Sequence, residues 1–287
     1  MRALLAAFLA LLLWPVLASA ASLSVEPARL ALGQPGLVRL CLKRPAQQVR
    51  AELRGRSTAL DQGRDGCWYG VAAADLQDQA GQAVLRARVD GRQVAVAELT
   101  LYRADRGIRR ITVDPKFLKL SPEALARHRR ERALILAVVG SFTAQRLWAG
   151  GFALPLHSQV VSAFGRRSIV NGQERSPHSG VDLRGALGTP VPAAADGTVA
   201  LVIDAYFSGV TILIDHGQGL ITRYLHLSQA LVRKGQKVKR GQIIGKVGAS
   251  GRVTGPHLDF GVKLAGAAVD PLAWIEVSRR LAQRLGE

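Results

Sequence analysis

Between residues 190 and 262 the chain repeats one local pattern, short runs of alternating apolar and polar residues, each closed by glycine or aspartate. The stretches "GTPVPAAADGTVALVIDAYFSGVTILIDHGQGLITRYLHL" and "VRKGQKVKRGQIIGKVG" carry it throughout. A period of two places every second side chain on one face of a strand, and glycine supplies the turns between short strands. This pattern reads as Gly-rich β structure. It predicts a compact β barrel or sandwich over about 149–276.

A second β region precedes it. From 22 to 104 short apolar runs alternate with turn residues, and in "AVLRARVDGRQVAVAEL" two alternating strands flank Asp90-Gly91, the dipeptide of a tight hairpin. The expectation is a small antiparallel, Ig-like β sandwich over 21–105. It holds no chemistry-bearing cluster, so its role is read as positioning or partner contact. Between the two β units, Ser121-Pro122-Glu123 has the form of a helix start, and a helical connector over 106–148 follows, with its helix at 121–138. "PLAWIEVSRRLAQRLGE" closes the chain as an amphipathic helix, 277–287 lying beyond the second β domain. The fold class is mainly β.

The first residues, "MRALLAAFLALLLWPVLASA", have one Arg, a short apolar run and the small-x-small triplet Ala18-Ser19-Ala20. This reads as a secretory signal peptide over 1–20, cleaved after Ala20, with a retained anchor as the alternative. The expected location is the periplasm or the extracellular space. "ALILAVVG" at 133–140 is far short of a membrane span, so the chain is not read as an integral membrane protein. Cys41 and Cys67 are compatible with a disulfide in an exported protein, and equally with two reduced core thiols. With Lys+Arg 39 against Asp+Glu 21 the net charge is +18, which points to an anionic neighbour. Export takes nucleic acid out of consideration and leaves anionic cell wall or a membrane surface. The bland reading is that scattered arginines carry no function.

Five residues of the second β domain can bind a metal or move a proton. His178 and Asp182 stand in "SPHSGVDLRG", where an extended strand would put both on one face. His226 ends the strand in "TRYLHLS", and His257 and Asp259 share a face in "GPHLDF". Imidazole and carboxylate together are zinc ligands, and a catalytic zinc site keeps a position open for water. His128, among arginines, reads as a solvated surface residue. His216 reads as structural, and His157 as structural or surface.

Five ordered motifs extend this picture: "LPLHSQVVSAFGRR", "NGQERSPHSGVDLRGALGTPVPAAADGTV", "DHGQGLITRYLHLS", "VKRGQIIGKVGASGRVTGPHLDFGV" and "VDPLAWI". Together they resemble the lysostaphin-like (LytM-type) zinc endopeptidases that cut peptidoglycan. The resemblance covers nearly the whole of 150–276. It implies that His178 and Asp182 bind zinc, while His226 and His257 assist the attacking water and the tetrahedral intermediate.

It also implies a third ligand at the second histidine of an HxH motif, and that position here is Asp259. A second carboxylate neutralises the ion, makes it a weaker Lewis acid and suits a harder metal such as manganese. Two readings follow. One is an exported metalloendopeptidase acting on crosslinks or stem peptides of peptidoglycan. The other is a catalytically degenerate relative that binds cell wall or activates a partner cell-wall hydrolase or another envelope protein, with the helix at 121–138 as a regulatory element. A biotinyl or lipoyl carrier, whose hairpins look similar, needs a modified lysine in a Met-Lys-Met or Asp-Lys context, which the chain does not have.

Overall fold

The structure, a computed structural model, describes residues 21–112 and 120–287, and the expected signal segment 1–20 lies outside it. Two sheets make the N-terminal sandwich. One holds Ala21–Glu26, Pro35–Leu42, Trp68–Ala73 and Asp61–Gln62 in that order. The other holds Arg29–Ala31, Arg92–Tyr102, Gly81–Val89, Val49–Leu53 and Arg56–Ala59. The hairpin at Asp90-Gly91 is present, and both residues have positive φ, 49° and 80°, as a type I′ turn requires. The sandwich is not wholly antiparallel, because Arg29–Ala31 runs parallel to Thr100–Tyr102.

Alternation along Pro35–Leu42 and Trp68–Ala73 gives the first sheet two buried faces. Val38, Leu40 and Ala72 fill the sandwich core, whereas Leu37, Tyr69, Val71 and Ala73 join a core that includes Trp148, Phe152 and Trp274. One continuous apolar core thus crosses from the sandwich into the second β unit. Cys41 and Cys67 form a disulfide on this side of the sheet, with Cα atoms 4.3 Å apart.

The stretch 106–148 is more than a helix. Ile108–Ile111 pairs in parallel with Arg167–Val170, which ties the connector to the following unit. The helix Pro122–Val139 starts where Ser121 Oγ accepts the N–H of Ala124. Ile135, Val138 and Val139 pack it onto Leu213 and Ile221 of the large sheet.

That sheet orders Val160–Ser162, Val181–Arg184, His257–Leu264, Leu220–Ala230, Gly209–Asp215, Gly197–Ala205 and Lys237–Val238 side by side. Pro190–Pro192 and Ile243–Val247 pair beyond this path. The last helix runs Pro271–Leu285, starting at the first residue of "PLAWIEVSRRLAQRLGE", because Asp270 accepts the N–H of Leu272 and Pro271 occupies the first turn. Its Trp274, Val277 and Leu281 enter the common core.

Candidate metal centre

Val181–Arg184 and His257–Leu264 run antiparallel with Asp182 opposite Asp259 and Arg184 opposite His257. Val181, Leu183, Leu258 and Phe260 point into the core, so Asp182, His257 and Asp259 share the other face, as the two-residue spacing of His257 and Asp259 predicts. His178 arrives differently. It precedes the strand, in a segment fixed by Gly165 N–H to His178 O at 2.7 Å and His178 N–H to Arg166 O at 3.0 Å. The even spacing from Asp182 is therefore not what brings these two together. A bend at Ser179-Gly180 does, and Gly180 is needed there, since a Cβ on it would lie 2.1 Å from Asp259 Oδ1.

His178 Nε2 stands 3.1 Å from Asp182 Oδ1 and 3.6 Å from Asp259 Oδ2. One ligand atom from each of these three residues lies within 4.8 Å of the others. His257 Nε2 is 3.8 Å from Asp182 Oδ1, and the rings of His226 and His257 lie 5.0 Å apart.

The three rings are oriented in the same way. Nδ1 of His178 meets Ala163 O at 3.3 Å, that of His226 meets Ser250 O at 2.9 Å, and that of His257 meets Gly255 O at 2.9 Å. A carbonyl oxygen can only accept, so each Nδ1 carries the hydrogen and leaves Nε2 free; the Nε2 atoms of His178 and His257 reach toward Asp182. Backbone carbonyls behind imidazoles are how metal-binding histidines are commonly held.

His226 is placed by a bulge, not by the end of a strand. Val210 pairs with Leu227 while Ile212 pairs with Tyr224, which leaves an extra residue on Leu220–Ala230. His226 has φ +62°, a left-handed conformation uncommon outside glycine and taken mainly by asparagine, aspartate and histidine among the rest. Its backbone N–H is held by Ser208 O at 2.9 Å. Burial holds the ring below the ordinary histidine range, so it is neutral at pH 7.

Electrostatics at the cluster favour positive charge where the three side chains meet. Burial works against a charged His178, but hydrogen bonds to Asp182 and Asp259 outweigh it and push the ring up to about 10. Burial likewise opposes a charged Asp259, and the bond to His178 overcomes it, holding the carboxyl at about 2. Asp259 Oδ1 is buried without a hydrogen-bond partner. A buried, ionised acceptor beside a second carboxylate and an oriented imidazole fits a divalent cation.

The remaining histidines separate clearly. His216 is buried, bonded to Asp196 O and Thr222 Oγ1, each at 2.7 Å, and is structural. His157 is exposed. His128 is not freely solvated, since its ring packs edge-on against Phe207 at 4.7 Å. Sequence reasoning passed over Ser250, whose carbonyl orients His226 and whose Oγ donates to Leu227 O at 2.6 Å. It also passed over Arg223, a charge inside the apolar run "LITRYL" that gave the available signal.

A β sheet that brings two carboxylates and three oriented imidazoles together defines a metallopeptidase-type centre. Residues 176–271 match the model of peptidase family M23. A solved structure from Pseudomonas aeruginosa assigned to peptidase M23 superposes with a TM-score of 0.69 and 30% identity, covering 87% of this chain and 95% of that one. The chain belongs to peptidase family M23. Among curated relatives, it is 46% identical over 97 residues to the peptidoglycan DD-endopeptidase ShyA of Vibrio cholerae, covering 34% of this chain and 23% of that protein. It is 36% identical over 126 residues to the DD-carboxypeptidase/endopeptidase Mpg of Neisseria meningitidis, covering 43% of this chain and 29% of that protein. The chain thus spans less than a third of the length of these relatives.

Proposed function

We propose that the protein is an exported, zinc-type metalloendopeptidase that hydrolyses peptide crosslinks or stem peptides of peptidoglycan. The observation that carries this reading is the convergence of His178, Asp182 and Asp259 with two further imidazoles, His257, whose Nε2 lies 3.8 Å from Asp182 Oδ1, and His226, whose ring lies 5.0 Å from that of His257. His178, Asp182 and Asp259 would hold the ion, zinc or another divalent metal such as manganese. When bound, the ion supplies Lewis acidity toward water and a peptide carbonyl.

The chain's own groups do the rest. His226, neutral and with Nε2 free to accept, takes a proton from the attacking water as general base. His257, its Nδ1–H fixed on Gly255 O, lies beside it and, once protonated at Nε2, stabilises negative charge developing on the carbonyl oxygen. Buried Leu225, directly opposite Asp259 on the neighbouring strand, limits access of bulk water and strengthens these interactions. The basic surface favours approach to an anionic wall, and the signal-like leader supports action in the periplasm or outside the cell.

Asp259 in place of histidine favours a second reading, a relative with weak or no catalysis that binds cell wall or activates a partner hydrolase. Peptidoglycan digestion separates the two. Zinc-supplied protein is compared with chelator-treated protein and with Asp259→His. Release of muropeptides by the zinc-supplied protein alone supports the enzyme. An inert wild type with an active Asp259→His supports the degenerate relative.

A further inference from the structure

The connector helix covers only part of the open face of the large sheet. Between its His128, Arg132 and Ile135 and the strands Leu220–Ala230 and His257–Leu264 runs a groove of about 320 Å³. Arg223 and Lys263 line it. Lys263 follows Asp259 by four residues on one strand and therefore shares its face.

Gly261, between them, gives Arg223 its position. A Cβ there would lie 2.5 Å from Nη2, so the guanidinium lies across the bare backbone. Nη2 donates to Ser179 O at 3.1 Å and Ser179 Oγ at 3.0 Å, both neutral, and the buried Nε has no partner. Lys263 is half-buried, and burial together with the charge of Arg223 holds its ammonium down to about 8.

Apart from Asp259 of the metal centre, on whose carboxyl the charge of Arg223 acts, the acids around the groove are already engaged. Glu131 accepts from Arg127 Nε at 2.5 Å and from Tyr206 N–H at 2.8 Å. Asp75 accepts from the N–H groups of Ala268 at 2.6 Å and Gln77 at 3.0 Å, and Arg56, which also acts on Lys263, is paired with Asp78 at 2.6 Å. Among the described residues no carboxylate forms an ion pair with Arg132, Arg223 or Lys263. Gathering cations on a partly buried surface is unfavourable unless an anion joins them.

We infer that this groove is a subsite for a free carboxylate of the bound peptide, held by Lys263, Arg223 and Arg132. The inference rests on the peptidase reading and adds a specificity element to it. Four residues of strand span about 14 Å at ~3.4 Å per residue. A peptide laid in extended form along His257–Leu264 would present a carboxylate about four residues from the bond at the metal centre. The substrate class is therefore an acidic peptide, and a stem peptide carrying side-chain or terminal carboxylates meets that description.

The test is equilibrium binding by calorimetry, with the full mature chain and uncrosslinked stem tetrapeptides as probes. One probe has free carboxylates, and in the other every carboxylate is amidated. Wild type should bind the free acid at least tenfold more tightly than the amide. Lys263→Gln should bring the two within about twofold, and Arg132→Gln, on the exposed helix face where folding is not at risk, should reduce the preference about threefold. Equal binding of the two probes by wild type, or a tenfold preference that survives in Lys263→Gln, overturns the subsite. Because binding is read apart from turnover, a preference for the free acid in a protein that hydrolyses neither a crosslinked dimer nor the stem peptide itself sinks the peptidase reading and leaves the anion site standing.

Discussion

Asp182 and Asp259 lie directly opposite each other on neighbouring antiparallel strands, and both turn a carboxylate oxygen to Nε2 of His178, at 3.1 and 3.6 Å. Where the family resemblance implies a histidine, the chain has a second carboxylate. The register shows why the exchange is tolerated, since position 259 stays on the open face whichever residue fills it. Asp259→Asn should keep the fold and lose most bound metal, because the amide presents one weak oxygen ligand and no charge. Metal content of the purified variant, read beside its melting temperature, checks this. Full metal occupancy in Asp259→Asn would remove Asp259 from the ligand set.

Gly180→Ala tests the bend that brings His178 to the cluster. The added Cβ would come 2.1 Å from Asp259 Oδ1 and 2.8 Å from Phe260 O, and the second of these is backbone that cannot move aside. A stability loss of about 1–3 kcal/mol is expected from overpacking, with loss of metal binding alongside it. Denaturant unfolding and metal analysis measure the two effects separately.

His226 combines a left-handed backbone with an oriented ring. His226→Asn keeps a residue that tolerates positive φ while removing the imidazole. Metal content should be unchanged and kcat should fall by about 10²–10⁴, the usual contribution of a general base. A kcat within about threefold of wild type would show that the proton is taken elsewhere.

How much of this was legible in the residues varies with the kind of signal. The His257–Asp259 pair could be read because strand period alone fixes a shared face. His178 could be matched to its role by motif but not by geometry, since its placement depends on a glycine bend and on backbone bonds to Gly165 and Arg166. The bulge under His226 left no local mark, because "TRYLHLS" reads as uninterrupted alternation. The sandwich and its hairpin were legible from alternation and Asp90-Gly91. The parallel pairing of Ile108–Ile111 with Arg167–Val170 joins segments almost sixty residues apart and leaves no local pattern.

Acid should weaken the fold through His216. Burial holds this ring down to about 4 against an ordinary value of 6.5. Above pH 6.5 neither the folded nor the unfolded state carries the proton. Between 6.5 and 4 the unfolded chain binds it first, so stability falls as pH falls, by roughly 3 kcal/mol once both states are protonated. His216→Gln should be less stable at pH 7 and flatter over this window. Urea unfolding of both proteins between pH 7 and pH 4 tests it, and parallel curves would assign the acid sensitivity to other groups.

Reduction of Cys41–Cys67 should destabilise the N-terminal sandwich. The bridge joins residues 26 apart in sequence, a loop whose closure is worth about 3–4 kcal/mol on chain-entropy grounds. Unfolding with and without reductant measures the difference. The change should be seen in the metal centre only through the shared core around Tyr69 and Trp274.

On the proposed function, His178, Asp182 and Asp259 hold one divalent ion. Anomalous scattering at the zinc edge from a crystal of the zinc-supplied protein tests it most directly. A single peak shared by these three side chains is expected, with His226 and His257 nearby but not bound to it. A peak that excludes Asp259, or no peak at the cluster at full zinc occupancy elsewhere, would contradict it.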